Sequence, residues 1–507
     1  MHPILTKYGQ PSRQSHVAIG IVLIKFIKTT IRAAWPILLG LLIGRKSSDN
    51  FTQYLLIAVL VFAAFNLIGS VMTFFRFYFS LDKDSILIDK GILKRTKINI
   101  PFERIQTVNL QQNLLHQMFG VSSLEIDTAG AKKSELTIDA LKKEEAEAIR
   151  QFILEEKKNI LEQQSTVGDE ELAETEEKQE PEKTILQLSF SDLLKIGFSQ
   201  NHLKSMAILF AFAFSFLNEI SSTLGDDLVE EQLSGFESYF LYSGWTIALG
   251  ALIVVFIISF IYSMISTLLV NFELKLSVQG KGLKLFKGLI NREEISINTS
   301  KIQLLSWSDN PVRRLFKMYT ITLAQAGSAE ANQLQTKIKI PGAKLKRVKA
   351  IAHLIFPKEY VRKEQKHKVS KILKYRIMIF GGLLPTIVAV GVGYYFLGEK
   401  ALLFAIWLPL LIFSAALYYR KRSYEINDEL LKNNKGIFGN HREMIRLYKV
   451  QAVEISQSWY QRRKQLANVH LHTAAGPIKI PFITLEQAEA IENFVLFKIE
   501  SDERDWM

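Results

Sequence analysis

The chain contains no cysteine among its 507 residues. Disulfide bonds, thiolate zinc sites, iron–sulfur clusters and a cysteine nucleophile are therefore excluded. The catalytic signatures HExxH and GxSxG are also missing, and no carboxylate dyad is recognisable. We predict that the protein is not an enzyme and that it carries no cofactor.

Metal-binding patterns are equally scarce. Of nine histidines only His470 and His472 stand close together, in VHLHTAAG. Residues two apart share one face of a strand, so this pair has a spacing that a metal ion could use. Zinc sites need three or four protein ligands, and no third ligand is evident. We predict no metal site.

Basic residues outnumber acidic ones, which gives a net charge of +13. Such a balance suits either nucleic acid or an anionic membrane surface. No aromatic-interleaved RNA-binding signature and no DNA-reading helix is evident. We therefore expect membrane lipids, and not nucleic acid, as partners.

Long apolar segments are abundant, although 22% of the residues are charged. A bilayer core of about 30 Å is crossed by roughly 20 mostly apolar helical residues. Six transmembrane helices in three hairpins are predicted over residues 18–44, 53–77, 205–220, 240–270, 377–397 and 401–419.

Charge is distributed unequally between the loops. Ser221–Tyr239 carries five acidic residues and no Lys or Arg, whereas the opposite side includes the basic cluster Arg420–Arg422. Positively charged loops stay on the cytoplasmic side of a membrane. We therefore predict a multi-pass protein of the bacterial cytoplasmic (inner) membrane with both termini in the cytoplasm.

Three basic residues interrupt the first apolar segment. Lys25, Lys28 and Arg32 are spaced three and four apart, so they share one helical face. Either their side chains snorkel to the interface, or they form a basic stripe that binds anionic lipid, and the two roles are compatible. All three are candidate lipid-binding residues.

One motif occurs three times, as GILKRTKINIPFERIQTV, GLINREEISINTSKIQLL and GIFGNHREMIRLYKVQAV. When the first glycine of each copy is numbered 0, an aliphatic residue stands at position 14 and a glutamine at position 15. These position numbers are used below for all three repeats. Glycines are typical of turns and aliphatic residues of a core, and for the glutamines we expect a cross-strand or domain-contact hydrogen bond. The repeat signature comprises Gly91, Ile105, Gln106, Gly130, Gly288, Ile302, Gln303, Gly327, Gly436, Val450, Gln451 and Gly476.

Each copy has the pattern of a small antiparallel β domain closed by one C-terminal helix. Apolar and polar residues alternate, as in EISINTSKIQLL, and apolar residues three and four apart follow. An acidic segment that is poor in aromatic residues predicts a disordered linker. The predicted division is 1–79 (N-terminal segment and hairpin 1), 80–156 (β domain 1), 157–184 (linker), 185–271 (hairpin 2), 272–358 (β domain 2), 359–419 (hairpin 3) and 420–500 (β domain 3).

IPFERIQTV, QMFG and DTAG in the first copy resemble the bacterial pleckstrin-homology (bacterial PH) domain family of the membrane-attached kind. Three units of two helices plus one such domain resemble the YdbT-like multi-pass membrane proteins. The resemblance implies a membrane α + β fold with three cytoplasmic PH-like domains. It also implies a setting in envelope stress or antimicrobial peptide resistance, and a protein partner such as a smaller protein with the same domain type.

Basic residues also cluster within the β domains. Arg313-Arg314 and Arg462-Arg463 occupy corresponding places in the second and third copies. They either belong to a solvated face or contact lipid or a partner, because each Lys or Arg near an anionic leaflet contributes about 1 kcal/mol. These four arginines are candidate lipid- or partner-binding residues.

Together these features predict a non-enzymatic scaffold that binds lipid head groups or protein partners at the cytoplasmic leaflet. A homo-oligomer is compatible with that role. The competing interpretation is a transporter or exporter accessory subunit for an amphipathic peptide. Coupled transporters keep ionisable groups near the bilayer midplane, and four of the six apolar segments carry none between their ends.

Overall fold

The computed structural model describes residues 3–43, 49–91, 94–128, 136–165, 183–202, 205–209, 211, 215, 250, 252–280, 282–325, 337–356 and 365–502. Most of the apolar segment 205–220, the start of the segment 240–270, Gly130 and Gly327 lie outside these residues.

Twenty strands are present in the described part of the chain. The first repeat contains β1 to β6, which are Tyr78–Leu81, Ser85–Lys90, Thr96–Pro101, Ile105–Gln112, Val121–Thr128 and Leu136–Lys142. The second contains β7 to β13, which are Lys183–Gln187, Lys275–Gln279, Gly282–Lys287, Arg292–Asn298, Ile302–Ser308, Met318–Gln325 and Lys337–Lys344. The third contains β14 to β20, which are Lys366–Lys368, Ser423–Ile426, Leu430–Lys435, His441–Arg446, Val450–Ser456, Leu466–Thr473 and Gly476–Thr484.

The helices fall into three groups. Those of the membrane-proximal segments are Pro3–Tyr8, Val17–Ile43, Asp49–Phe75, Phe190–Phe198, Leu252–Asn271, Ile372–Met378, Leu384–Leu397 and Trp407–Lys421, with a π-turn at Ile379–Leu383 and a 3-10 segment at Gly398–Ile406. Short helices within the repeats are Phe102–Arg104, Leu114–Met118, Thr299–Lys301, Pro311–Leu315, Leu447–Lys449 and Trp459–Arg463. The repeats end with Lys143–Ser165, Leu345–Ile355 and Leu485–Ser501.

Each repeat folds as two antiparallel three-stranded meanders followed by its C-terminal helix, as expected for PH-like domains. Burial follows the period of two, because Ile86 and Ile88 of β2 are buried while Leu87 between them is exposed. The helix closes the domain by aromatic packing, since Phe152 meets Phe102 edge to face at 6.0 Å between ring centroids.

The repeated glycines adopt the conformation that their turn requires. Gly91, Gly288 and Gly436 have φ values of 118°, 104° and 137°. A Cβ atom on any of them would lie within 2.3 Å of the carbonyl oxygen three residues later. Only glycine fits such a turn without strain, which explains why this residue opens every copy.

A β-bulge lies at the repeated glutamine in each copy. Between β4 and β5, Ile105 and Thr107 pair with consecutive residues, so the intervening Gln106 has no partner in the register. The same shift occurs at Gln303 and Gln451. A bulge bends its strand and increases the twist. The hydrogen-bonding role predicted for these glutamines stays a prediction.

The repeats are joined by strand pairing across their boundaries. β4 of the first repeat pairs with β10 of the second, and β11 of the second pairs with β17 of the third. Two seven-stranded sheets result, with the orders β6-β5-β4-β10-β9-β8-β7 and β13-β12-β11-β17-β16-β15-β14. The sequence analysis treated the β domains as separate units, and this continuity was not predicted.

Both boundaries use one register. Position 20 of a repeat lies opposite position 5 of the next, as Gln111 opposite Glu293 and Ser308 opposite His441. Positions 19 and 6 are likewise opposite, as in the pair Trp307 and Arg442. Because a slip of one residue would turn every side chain to the other face, the shared register means that the two junctions are equivalent.

Six membrane spans are not confirmed. Two helical stretches of the described residues are long and apolar enough to cross a membrane, Leu252–Asn271 and Ile372–Lys421. The second reverses at Gly398–Ile406, a longer turn than the predicted Gly398–Lys400, and thus contains two antiparallel helices. Val17–Ile43 and Asp49–Phe75 also pack against each other.

The strand before a helical hairpin pairs with the strand after it. β7 pairs with β8, β14 pairs with β15, and Ser12 forms an isolated bridge with Phe79. Both ends of each hairpin therefore lie side by side. The helix Lys143–Ser165 continues into the predicted linker 157–184, and β7 begins at Lys183. The rest of that predicted linker, residues 166–182, lies outside the described residues.

Candidate membrane-facing and partner-facing surfaces

Two large apolar residues follow the glycine in each repeat. Leu289 and Ile290 in the second repeat and Ile437 and Phe438 in the third are exposed. Exposed apolar side chains in contiguous patches mark contact surfaces for proteins or membranes. The corresponding pair of the first repeat, residues 92–93, lies outside the described residues.

These turns are bound to the ends of the apolar helices. The amide of Leu289 donates to the carbonyl oxygen of Leu269 at 2.8 Å, within the last turn of Leu252–Asn271. Lys421, the last residue of Trp407–Lys421, donates through Nζ to the carbonyl oxygens of Phe438 and Gly439, both at 2.9 Å. The apolar turns therefore lie at the ends of these two apolar helices.

A short helix of the preceding repeat lies beside each turn. The side chains of Asn113, Asn310 and Ser458 cap the helices Leu114–Met118, Pro311–Leu315 and Trp459–Arg463. The side chain amide of Gln117 donates to the carbonyl oxygens of Leu289 at 3.0 Å and Ile290 at 2.9 Å. Arg314 donates to the carbonyl oxygen of Phe438 at 3.1 Å.

The short helices carry exposed apolar residues too, among them Leu114, Met118, Leu315 and Trp459. We call the exposed turns 289–290 and 437–438, together with the three short helices, the tip surface. It combines apolar side chains with arginines next to the helix ends. This composition is typical of interfacial membrane contact.

The candidate arginines of the second repeat are engaged within the protein. Arg313 donates to the hydroxyls of Ser199, at 3.2 Å, and Thr320. Burial lowers the pKa of its guanidinium. Arg314 is half-exposed and pairs with Asp309 at 2.9 Å. Both therefore hold the second repeat to its surroundings, and lipid binding by them stays a prediction.

The candidate arginines of the third repeat are exposed. Arg463 lies over the ring of Trp459, 4.3 Å from its centroid, and Trp459 is itself 68% exposed. Arg462 stands at position 26, the position held by Gln117 and Arg314 in the other two repeats.

The three basic residues of the first apolar segment lie within the helix Val17–Ile43. Lys25, Lys28 and Arg32 occupy one face by their spacing. Lys28 is exposed. Lipid binding by this group stays a prediction.

Asp309 and Asn440 join the second and third repeats beyond the end of the paired strands. The Asp309 carboxylate accepts the amide of Asn440 at 2.7 Å and its side chain at 2.9 Å. Asp309 is buried, and Gly439 packs on its carbonyl oxygen so closely that a Cβ would stand 2.1 Å away. This contact fixes the register of the junction.

A buried lysine reinforces the same junction. Lys449 of the third repeat donates to the carbonyl oxygens of Ser300 and Ile302 in the second. Burial, followed by the charge of Arg446, lowers the pKa of the Lys449 ammonium to about 8. The first junction uses an ion pair instead, because Arg150 of the first repeat binds Glu294 and the hydroxyl of Ser296 in the second.

Three carboxylates lie close together on the sheet of the first repeat. Burial, followed by the charges of Asp127, Asp139 and Glu293, raises the pKa of Glu125 to about 7. Gln111 donates to Glu125 at 2.6 Å. Among the described residues, no three acidic, histidine or cysteine side chains are arranged so that they could hold a metal ion, and these carboxylates are no exception.

The histidine pair lies on the outer face of the last sheet. His470 hydrogen-bonds to the hydroxyl of Ser456 at 3.1 Å, and His472 to the carboxylate of Glu454 at 3.2 Å. Their rings stack with centroids 6.5 Å apart. Both are explained by these strand-to-strand contacts.

Two antiparallel meanders and a closing helix, repeated three times beside apolar helical hairpins, define a membrane-associated protein with PH-like domains. The sequence profile described as Bacterial PH domain matches residues 24–157, 229–358 and 382–497. The chain belongs to the bacterial PH domain family. It is 22% identical over 466 residues to the UPF0699 transmembrane protein YdbT of Bacillus subtilis (strain 168), which covers 91% of this chain and 92% of that protein.

Sequence reasoning missed the tip surface and the junctions. The tip surface could have been predicted from the apolar pairs Ile-Leu, Leu-Ile and Ile-Phe, which directly follow the three turn glycines. The junctions had a weaker signal, because Trp307, Met444 and Leu304 lie on strands whose second edge only a neighbouring repeat can cover.

Replacement of Asp309 tests the junction contact. Asp309→Ala should lower the melting temperature of the detergent-solubilised chain, because it removes the acceptor of the Asn440 amide and the ion-pair partner of Arg314, at a cost of about 1–3 kcal/mol. Trypsin should also cut faster near Arg442. Gln457→Ala, at the same position in the third repeat, should have little effect on either readout. Equal effects of the two variants would contradict the assigned role.

Glu125 predicts a pH-dependent stability. Its folded-state pKa of about 7 exceeds the unfolded value of about 4.3, so its contribution to stability is complete below pH 4 and is lost as the pH rises through 7. Glu125→Gln should therefore raise the melting temperature at pH 8 and change it little at pH 4. Glu489→Gln, on an exposed position, is the control. A melting-temperature difference that does not vary with pH would contradict this account.

Proposed function

We propose that the protein is a non-enzymatic inner-membrane scaffold that binds lipid head groups or protein partners at the cytoplasmic leaflet. The continuity of two seven-stranded sheets across the repeat boundaries supports this role most directly. Shared main-chain hydrogen bonds connect the three domains into one extended surface. Such a surface is suited to organising partners along the membrane.

Lipid contact is proposed for the tip surface. The exposed turns carry large apolar residues that can enter the head-group region, and Arg462 and Arg463, on the exposed short helix of the third repeat, can bind lipid phosphates. Burial of an apolar side chain contributes about 25 cal/mol per Å² of area removed from water. Apolar insertion and basic charge would therefore hold the domains against the same leaflet.

A six-helix topology with cytoplasmic termini is part of the proposal. The paired strands at both ends of each hairpin favour it, since a segment that leaves and returns to one sheet crosses the membrane an even number of times. The apolar surface of Leu252–Asn271 and Ile372–Lys421 is mostly exposed, which favours a lipid environment for these helices.

The scaffold fits the biological setting that the family resemblance implies. Envelope stress and resistance to membrane-active peptides both involve events at the membrane surface, and the resemblance implies a smaller protein with the same domain type as partner. The exporter interpretation finds less support. Leu252–Asn271 contains no Asp, Glu, Lys, Arg or His, and within Ile372–Lys421 the residues from Ile377 to Gly398 and from Ala401 to Tyr419 are free of Asp, Glu, Lys and Arg.

Depth-dependent fluorescence quenching tests the lipid contact in the full chain. Single cysteines at Phe438 and at Glu489, labelled with an environment-sensitive dye in liposomes with anionic lipid, report the tip surface and a control position. Brominated lipids should quench the dye at 438 strongly and the dye at 489 weakly. Arg462→Glu together with Arg463→Glu should reduce quenching of a dye on Tyr460, and salt should act in the same direction. Equal quenching at 438 and 489 would overturn the proposal.

Side-specific labelling tests the topology. The cysteine-free chain allows single cysteines at Ser165, Ser234 and Ser501 without background. A membrane-impermeant maleimide added outside intact cells should react at 234 alone. Reaction at 165 or 501 from outside would contradict cytoplasmic termini and repeats.

A further inference from the structure

One strand edge is open at each end of the three-repeat array. In the described part of the chain, β3 pairs only with β2, and β18 pairs only with β19. β3 corresponds to β10 and β17, which pair with a preceding repeat, and β18 corresponds to β4 and β11, which pair with a following one. The chain therefore carries both halves of its own internal junction, one at either end.

Residues at the open strand edges are exposed, whereas the corresponding residues at the internal junctions are buried by the neighbouring repeat. Gln451 of β18 is exposed, whereas Gln303 at the same position of β11 is 1% exposed. Asn99 of β3 is exposed, whereas Met444 at the same position of β17 is fully buried. Unpaired strand edges are sites for the addition of further strands.

We propose that β18 of one copy pairs with β3 of a second copy, so that the protein associates head to tail through the same junction that joins its repeats. The shared internal register specifies the pairing. Ser456 should lie opposite Thr96, as Ser308 lies opposite His441 and Gln111 opposite Glu293.

The flanking contacts have counterparts as well. Arg462 stands at the position from which Gln117 and Arg314 donate to the turn of the next repeat, so it should donate to the turn after Gly91 of the second copy. Arg104 is exposed and occupies the same position of its repeat as Lys449, whose ammonium donates to carbonyl oxygens of the preceding repeat. Arg104 of one copy should therefore donate to carbonyl oxygens at the start of β18 of the other copy.

The polarity of the open edges is compatible with pairing. β3 presents Lys97 and Asn99, side chains that often discourage edge-to-edge association. The first internal junction is polar too, since β10 presents Glu293, Glu294 and Ser296 and is stabilised by Arg150. Main-chain hydrogen bonds and the ion pair of Arg150 with Glu294 therefore join the two repeats there.

The membrane favours this contact over other arrangements. With the proposed topology, neighbouring copies in one bilayer present their edges in the same orientation and plane. A head-to-tail contact is heterologous and produces a ring when its rotation closes, or an open row when it does not. Two copies of β3, or two copies of β18, could not pair in the internal register, because that register joins position 20 of one repeat to position 5 of another.

Disulfide cross-linking in native membranes tests the pairing. One tagged copy carries Thr96→Cys, and a second, differently tagged copy carries Ser456→Cys. Residues directly opposite in an antiparallel pair have Cα atoms about 4.5–5.5 Å apart, within disulfide range. Mild oxidation should shift most of the tagged chain to a dimer that contains both tags. Glu454→Cys in place of Ser456→Cys, two residues out of register, should give much less dimer.

Two further variants separate pairing from lipid binding. Arg462→Glu should abolish most of the cross-link. Arg463→Glu should preserve it, because the corresponding residues of the first and second repeats, Met118 and Leu315, are exposed at the ends of their short helices. Equal dimer yield from the matched and shifted cysteine pairs would overturn the proposal. So would a dimer formed between two Thr96→Cys copies, or exclusive cross-linking to a different protein.

Discussion

Main-chain pairing between one repeat and the next is the interaction on which the architecture depends. A strand that belongs to one domain by sequence is a central strand of a sheet shared with its neighbour. Because main-chain hydrogen bonds require no particular side chain, the junction survives large differences between the repeats. The first junction relies on Arg150 and Glu294, and the second on Asp309, Asn440 and the buried Lys449.

The membrane determines how this array is presented. Each hairpin begins and ends on adjacent strands, so the sheet and the bilayer constrain each other at three places. In the second and third repeats the glycine turn lies at the end of an apolar helix and carries two exposed apolar residues. A single short motif thereby forms both the turn and part of the junction with the preceding repeat.

Much of this fold follows from local sequence pattern. Alternating residues identified the strands, spacing of three and four identified the closing helices, and the glycines at 91, 288 and 436 marked the turns. The third apolar segment, near Ser205, was harder, since it is short and begins beside polar residues. Edge pairing between repeats leaves no local pattern, because it depends on backbone groups that every residue possesses. The internal placement of Arg313 was equally invisible, as its partners Ser199 and Thr320 are set by tertiary packing.

Residue-resolved hydrogen exchange of the solubilised chain tests the shared sheet most directly. In an edge strand alternate amides face solvent, whereas in a central strand all amides are hydrogen-bonded. The account predicts slow exchange at every amide from Leu304 to Ser308, because β12 and β17 flank this strand. Fast exchange at alternate amides of that strand would show that the repeats are separate domains, and would contradict the account.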